Sequence, residues 1–243
     1  QVSTGSGEGT VQLSLIDDDS IVDDAGNVLG GAGNGGNVDG ASHSVDHVGP
    51  EISSMDLVGP NPTNSATISF AVTFDEPVVN ETALDFALTT GIADASIVGL
   101  SKTESVHTVL VDTGSTDGTI RLDLVTTGSL ADGLGNEPIP YTSGPVAVID
   151  RTAPNVVSIT PVDGTTTSGN TVEFLVAFDS SVQNVDTSDF TTSEGGLTTS
   201  SVTSVTGSAD QYTVSVALSG GDGTVTLNLV DNDSITDLAG NTL

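Results

Sequence analysis

The sequence predicts an all-β protein made of repeated small sandwich domains, and two observations carry this prediction. Residues 9–29 return as 118–139 and again as 223–243, at intervals of 109 and 105 residues (9 to 118, then 118 to 223). A period of about one hundred residues corresponds to one small domain. Apolar and small polar residues alternate through the structured stretches, as in 67–74. A side-chain period of two is typical of a half-buried β-strand.

A second block repeats in step with the first. Residues 67–78 match 171–182, and residues 45–50 match 149–154; both pairs are 104 residues apart (171 − 67 and 149 − 45). Each joint between repeats is short and ends in proline, which restricts the backbone. A short, stiff joint favours a rod over beads on a flexible string.

The repeats divide the chain into three parts. We expect residues 1–46 to hold only the C-terminal strands of a partial repeat. Residues 47–150 are predicted to form a complete domain, and residues 151–243 a domain that lacks its last strand. The expected architecture is therefore a tandem array of about seven-stranded domains arranged as a rod.

Seven short strands separated by Gly, Asp, Asn and Ser turns are typical of an immunoglobulin-like β-sandwich. In the middle repeat the predicted strands are A at 51–57, B at 67–74, C at 86–89, D at 95–100, E at 108–112, F at 119–125 and G at 145–149. Single helical turns are expected near 81–86 and 186–190.

The charge of the chain is extreme, with 33 acidic residues against three basic ones and a net charge of −30. Such a chain is expected to avoid nucleic acid and anionic membrane surfaces, and to attract cations. Its acidity can also be simply that of a solvated surface. The chain has no cysteine, which excludes disulfides and thiolate metal sites. No stretch approaches the roughly 20 apolar residues of a membrane span, so no membrane insertion is expected in this segment.

Acidic residues recur at one pole of each predicted domain, where the incoming linker meets the B–C and F–G loops. The candidate ligands are Asp46, Asp75, Glu76, Asp132 and Asn136 in the middle repeat, and Asp150, Asp179, Asp237 and Asn241 in the last. Carboxylate and amide oxygens are the ligands that Ca²⁺ prefers, at six to eight per ion. The pattern predicts a structural Ca²⁺ that rigidifies each joint. Alternatively, the Asp and Asn residues only form tight turns by bonding their own backbone.

Three motifs carry a resemblance to a known family. They are Phe-Asp-Glu-Pro-Val at 74–78, the Asp-x-Ala-Gly-Asn turn at 23–27 and 237–241, and the Asp-x-Thr-Ala-Pro joint at 150–154. Together they resemble the bacterial Ig-like repeats of giant surface proteins and adhesins, and the resemblance covers nearly the whole chain. It implies an extracellular, cell-surface and non-catalytic extender, some relatives of which carry Ca²⁺ between domains.

We therefore expect a non-catalytic structural segment, a spacer, stalk or filament body, of an extracellular surface protein. Its expected partners are neighbouring repeats or subunits of the same protein and divalent cations. No cysteine nucleophile, nucleophile-elbow serine, zincin helix or phosphate loop is present in the sequence.

Two alternatives stay open. In the first, the chain is a self-assembling extracellular filament subunit that completes its last domain with a neighbour's strand, by donor-strand complementation. In the second, it is a glycan-binding surface module. A sugar site normally uses exposed aromatic side chains, and this chain has six Phe, two Tyr and no Trp.

Overall fold

A computed structural model describes residues 1–31, 33, 38–103, 105–125, 128–196, 199–230 and 232–243. Within these residues the chain forms β-strands and two single-turn 3-10 helices. The 3-10 turns lie at Ala83–Asp85 and Thr187–Asp189, inside the two ranges where the sequence predicted helical turns.

The first two strands form an antiparallel pair. Strand β1 (Gly9–Leu15) runs beside β2 (Val38–Val45), from Gly9 opposite Val45 to Leu15 opposite Val38. Neighbouring strands F and G pair in this way in a sandwich. Nearly every side chain of the pair is exposed, so this ladder covers little apolar surface.

Seven strands follow in the middle repeat. They are β3 (Ile52–Val58), β4 (Thr67–Phe74), β5 (Phe86–Thr90), β6 (Ser96–Thr103), β7 (Val106–Asp112), β8 (Gly118–Leu124) and β9 (Val146–Ile149). Each predicted strand from A to G is present, with ends that differ by at most three residues. The alternating pattern places Ile68, Phe70 and Val72 in the core, as period two requires.

The pairing order identifies the architecture. One sheet has the order β3-β4-β7-β6 and the other the order β5-β8-β9. In strand letters these are A-B-E-D and C-F-G, the two sheets of a seven-stranded immunoglobulin-like sandwich. The predicted all-β, immunoglobulin-like class is confirmed.

The last repeat contains β10 (Val156–Pro161), β11 (Thr171–Phe178), β12 (Val182–Gln183), β13 (Phe190–Gly195), β14 (Thr199–Ser208), β15 (Gln211–Ser219), β16 (Thr224–Leu229) and β17 (Thr236–Asp237). The order β10-β11-β15-β14 repeats the A-B-E-D sheet. In the second sheet β13 pairs with β16, and within the described residues no strand occupies the G position. The core includes Phe174, Val176, Phe178 and Val214, with Tyr212 donating its hydroxyl to the carbonyl of Val182 at 2.9 Å.

The chain divides into two compact units. The first comprises Gln1–Ser53, Phe74–Asp85 and Leu124–Tyr141, and the second comprises Ser54–Thr73, Phe86–Asp123 and Thr142–Leu243. The candidate ligands of the middle repeat all lie in the first unit, and those of the last repeat all lie in the second. Each group is therefore described within its own unit.

Candidate metal centre

Three of the predicted ligands come together in the first unit, at what we call the first joint (residues 46–50, 75–76 and 132–136). Asp46 follows β2, Glu76 follows β4, and Asp132 lies in the turn after β8. One carboxylate oxygen from each lies within 4.8 Å of the other two. Asp132 is buried, while Asp46 and Glu76 are half-buried. Among the described residues, this group alone has the spacing of a metal site.

The turn that contains Asp132 holds its carboxylate in place. Asp132 Oδ1 accepts the backbone N–H groups of Leu134 and Asn136, both at 2.8 Å, and Oδ2 accepts Asn136 Nδ2 at 2.8 Å. Desolvation opposes ionisation of Asp132, but the hydrogen bonds from Asn136 and Leu134 outweigh it and lower its pKa. Asn136 Nδ2 also donates to the Asp46 carbonyl at 3.4 Å, so the predicted ligand Asn136 acts as a donor.

Glu76 has the opposite electrostatic behaviour. Desolvation raises its pKa, and the charges of Asp132, Asp46, Asp75 and Glu8 raise it further. The first joint therefore concentrates negative charge where a cation would be stabilised.

Asp75 lies next to Glu76 but performs a different task. Its Oδ1 accepts the backbone N–H of Glu51 at 2.8 Å, while its own N–H donates to the Glu51 carbonyl at 3.0 Å. Asp179, its counterpart in the last repeat, makes the same exchange with Asn155 and also accepts Asn155 Nδ2. The hydrogen bonds from Asn155 lower the pKa of Asp179. Both predicted ligands thus hydrogen-bond to the residue that precedes the first strand of their domain.

The corresponding residues of the last repeat form the second joint (150–154, 179–180 and 237–241). The carboxylates of Asp150, Asp179 and Asp237 do not form a group with metal-site spacing. Ser180 stands where Glu76 stands in the first joint, 104 residues earlier (180 − 76). Asn241 Nδ2 donates to the Asp150 carbonyl at 3.0 Å, as Asn136 does to Asp46.

The same turn recurs at three places, beginning at Asp23, Asp132 and Asp237. In each, the carboxylate accepts two backbone N–H groups and the side-chain amide of the Asn four residues later, at 2.8–2.9 Å. The fourth position has φ of 83°, 93° and 93°, which requires glycine. These Asp and Asn residues therefore make the local hydrogen bonds of the turn alternative. Among the residues that the structure describes, only Asp46, Glu76 and Asp132 have the spacing of a metal site, and Asp132 belongs to both arrangements.

The second joint contains a cation that the sequence reasoning missed. The Arg151 guanidinium donates to the Asn64 carbonyl at 2.6 Å, to Thr113 Oγ1 at 2.6 Å and to the Gly114 carbonyl at 2.9 Å. Its backbone N–H donates to Asp117 Oδ1 at 2.6 Å. Charge-assisted bonds of this length are among the stronger polar contacts in proteins. We call these contacts the arginine clasp.

Asn64 connects the arginine clasp to the last domain. Its backbone N–H donates to the Ala239 carbonyl at 3.1 Å, and its Nδ2 donates to Asn241 Oδ1 at 3.2 Å. The A–B loop of the middle domain thus contacts the turn of the following domain directly. A role for Arg151 could have been predicted from the sequence, because it is one of only three basic residues in the chain and lies in the joint motif at 150–154.

No protein-family model and no curated protein matches the sequence. Among solved structures, the chain is similar to a chimeric titin Z1Z2 functionalized with a KLER exogenous peptide from decorin. The identity is 12%, the TM-score is 0.31, and the match covers 79% of this chain and 94% of that chain.

Helices of the length and apolarity needed to cross a membrane do not occur in the described part of the chain.

Proposed function

We propose that this chain is a non-catalytic structural segment, a spacer or stalk, of an extracellular surface protein. The observation that carries the proposal is the second joint, where Arg151 and Asn64 connect the middle domain to the turn of the last domain. Specific hydrogen bonds between consecutive repeats favour a fixed angle between them. A fixed angle is what a load-bearing or distance-setting segment needs.

Two further features support a location at the cell surface. The motifs at 74–78, 150–154 and 237–241 resemble those of bacterial Ig-like repeats in giant surface proteins and adhesins. A net charge of −30 also keeps a densely displayed chain soluble and separated from its neighbours. We infer that consecutive domains of the same protein are its main partners.

Calcium at the first joint is part of the proposal. Asp46, Glu76 and Asp132 would supply three carboxylate oxygens of the six to eight that Ca²⁺ takes, leaving positions for water or backbone oxygens. The donor set fits a hard cation, because it contains only oxygen. A bound Ca²⁺ would supply the positive charge that cancels the repulsion at Glu76. We propose no calcium at the second joint, which holds the guanidinium of Arg151.

Calcium titration of the chain and of Glu76→Gln tests the site. We expect the wild type to bind Ca²⁺ by calorimetry and to unfold at a higher temperature with Ca²⁺ than with EDTA. Glu76→Gln should lose most of both effects. The control Glu173→Gln makes the same charge change at an exposed position of strand β11 and should behave as the wild type. A wild type without calcium binding, or an unaltered Glu76→Gln response, would refute the calcium site.

Small-angle scattering tests the structural role separately. We expect an extended particle whose stiffness falls when EDTA removes calcium. A particle that is equally stiff with and without EDTA would support the spacer role and would refute a role of calcium in its stiffness. A chain whose domains reorient freely in both conditions would contradict the spacer itself.

The glycan-binding alternative has no comparable support. All six Phe side chains lie in the core, at most 7% exposed, and Tyr212 is buried with them. A sugar-stacking platform requires an exposed aromatic face.

A further inference from the structure

Two segments of the chain carry the acceptor pattern for asparagine-linked sugars, which is Asn-x-Thr/Ser with any residue except proline in the middle. They lie at 80–82 (Asn-Glu-Thr) in the middle domain and at 232–234 (Asn-Asp-Ser) in the last. Both asparagines are exposed. The pattern is short and arises easily in a chain rich in Thr and Ser, so the structure around each copy decides whether the asparagine can carry a sugar.

In each segment, a buried aspartate holds the hydroxyl two residues after the asparagine. Thr82 Oγ1 donates to Asp85 Oδ2 at 3.0 Å, and Ser234 Oγ donates to Asp189 Oδ1 at 2.6 Å. Asp85 and Asp189 are at most 1% exposed, and they are counterparts in the two repeats, 104 residues apart (189 − 85). Each of the two domains therefore carries one copy of the pattern, anchored at the same point of the fold.

The turn at Asn232 does not need the amide nitrogen. Asn232 Oδ1 accepts the backbone N–H of Ser234 at 3.0 Å. Asp18 lies at the equivalent position of the first repeat, 214 residues earlier (232 − 18), and its carboxylate accepts the N–H of Ser20 at 3.1 Å. The middle residue of both turns has a φ of 62°. Since Asp forms this turn as Asn does, the Nδ2 atom of Asn232 has no role in it.

The amide nitrogen of Asn80 also has no role in its turn. Asn80 has a φ of 58°, a left-handed conformation that Asn and Asp both tolerate. Its counterpart Asn184 has a φ of 65° and donates its amide to Thr236 Oγ1 at 3.4 Å. Ala131 occupies the position equivalent to Thr236, so this hydrogen bond is not open to Asn80. The Asn80 carbonyl accepts Ser129 Oγ at 2.8 Å, which fixes the backbone beneath the exposed side chain.

A side-chain amide without an acceptor is unusual among the asparagines that the structure describes. The structure describes eleven of the 13 asparagines in the chain, and eight of these donate Nδ2 to a protein acceptor. Within the described residues, the three that do not are Asn80, Asn170 and Asn232. Asn170 has Val172 two positions later and lies outside the acceptor pattern. Both asparagines of the pattern thus present an unused amide to solvent.

We propose that Asn80 and Asn232 are acceptors of asparagine-linked sugar, an inference that rests on the extracellular location in the proposed function. In the transfer, Nδ2 forms a bond to C1 of the first sugar of a lipid-linked oligosaccharide. The bond from C1 to the lipid phosphate breaks, the lipid phosphate leaves, and one Nδ2 proton passes to a base of the oligosaccharyltransferase.

The folded structure accommodates the product. The transferase requires the hydroxyl of Thr82 or Ser234, which is accessible before the chain folds. In the folded chain, Asp85 and Asp189 bind these hydroxyls, and the sugar extends from the exposed amide. An attached sugar breaks no hydrogen bond within the described residues, because neither amide nitrogen donates one.

Secretion of the full chain from cultured eukaryotic cells tests the two acceptors, because such cells supply the transferase and the lipid-linked oligosaccharide. Intact-mass spectrometry counts the sugar chains, and enzymatic release, which converts a modified Asn to Asp, locates them. Asn80→Asp and Asn232→Asp remove the amide and keep the turn, as Asp18 does at its own position. The control Asn170→Asp makes the same change at an exposed asparagine outside the pattern.

We expect two sugar chains on the wild type and on Asn170→Asp, one on each single variant, and none on Asn80→Asp/Asn232→Asp. The glycosylated wild type should unfold cooperatively, at the temperature of this double variant or above it. A folded, secreted wild type without sugar at both positions would overturn the inference, and the spacer role would still be decided by the scattering experiment. Sugar chains that lower the unfolding temperature well below that of the double variant would also overturn it, because the two amides would then be needed by the fold.

Discussion

The two joints of this chain share a backbone design and differ in how they handle charge. In both, an Asp turn presents an Asn amide to the carbonyl of the incoming linker residue, Asp46 or Asp150. The first joint gathers three carboxylates, whereas the second uses Arg151. Two of the exchanges between the joints change the charge: Glu76 corresponds to Ser180, and His47 corresponds to Arg151. A repeated fold therefore preserves the turn, while single side chains determine the electrostatics around it.

A third exchange concerns packing. Gly49 of the first joint corresponds to Ala153 of the second. A β-carbon at Gly49 would overlap the carbonyl oxygen of Glu137, and the adjacent Pro50 carbonyl accepts the backbone N–H of Ile139 at 3.1 Å. The linker of the first joint thus lies directly against the chain that follows its turn. Ala153 shows that the second linker has room for a methyl group.

The largest expected effect is that of Arg151→Ala, which removes the arginine clasp. We expect the free energy of unfolding to fall by about 3 kcal/mol, because several hydrogen bonds from a charged donor are lost and Thr113 is fully buried. Chemical denaturation measures the loss. Lys102→Ala removes the same charge from an exposed position and should change stability by less than about 0.5 kcal/mol. Equal losses in the two variants would mean that net charge, rather than the clasp, matters.

Gly49→Ala should have the next largest effect on stability. A larger loss than at Ala153 would show that the linker of the first joint is packed more closely than that of the second. The added methyl group meets the backbone of Glu137, so we expect a loss of about 2 kcal/mol in the free energy of unfolding. The reciprocal change Ala153→Gly should cost about 0.5–1 kcal/mol through backbone entropy alone. If thermal unfolding showed the reverse order, the close approach at Gly49 would be wrong.

Asn64→Ala probes the contact between the middle domain and the last turn. The side chain makes one hydrogen bond, to Asn241, while its backbone contacts to Ala239 and Arg151 remain. We expect a loss of about 1 kcal/mol. A double-mutant cycle with Asn241→Ala measures the coupling, since a real contact makes the two losses non-additive. If the two losses in the free energy of unfolding were strictly additive, the hydrogen bond between the Asn64 and Asn241 side chains would be refuted.

The smallest effect is a pH dependence specific to the first joint. Desolvation and the charges of Asp132 and Asp46 raise the pKa of Glu76 above its ordinary value of 4.5, so the folded chain binds this proton more tightly than the unfolded chain. In EDTA, the stability that Glu76 contributes is therefore fully present below pH 4.5 and is lost as the pH rises through the raised pKa. Thermal unfolding against pH should show this slope in the wild type and not in Glu76→Gln. If stability changed with pH in the same way in the wild type and in Glu76→Gln, the pH dependence would not come from Glu76.

Much of this protein could be predicted from its sequence. The alternation in 67–74 and the repeat period placed all seven strands of the middle domain, because period two with one buried face leaves a single register for each strand. The Asp-x-x-Gly-Asn turns were recognisable because their bonds are local, spanning four residues. Asp46, Glu76 and Asp132 could be grouped because the sandwich topology brings their loops to one pole.

The remaining features depend on contacts between residues that are distant in the chain. Asp75 and Asp179 were predicted as ligands, and in the structure each accepts the backbone N–H of a residue 24 positions earlier, Glu51 or Asn155. Arg151 reaches the carbonyl of Asn64, 87 residues away, and no local pattern encodes that distance. The sequence by itself determined the strands, the turns and the concentration of acid at the joints, because these follow from periodicity and composition. Only the tertiary structure decided which carboxylates meet and which joint receives a cation, because those outcomes depend on ångström-scale distances between separate loops.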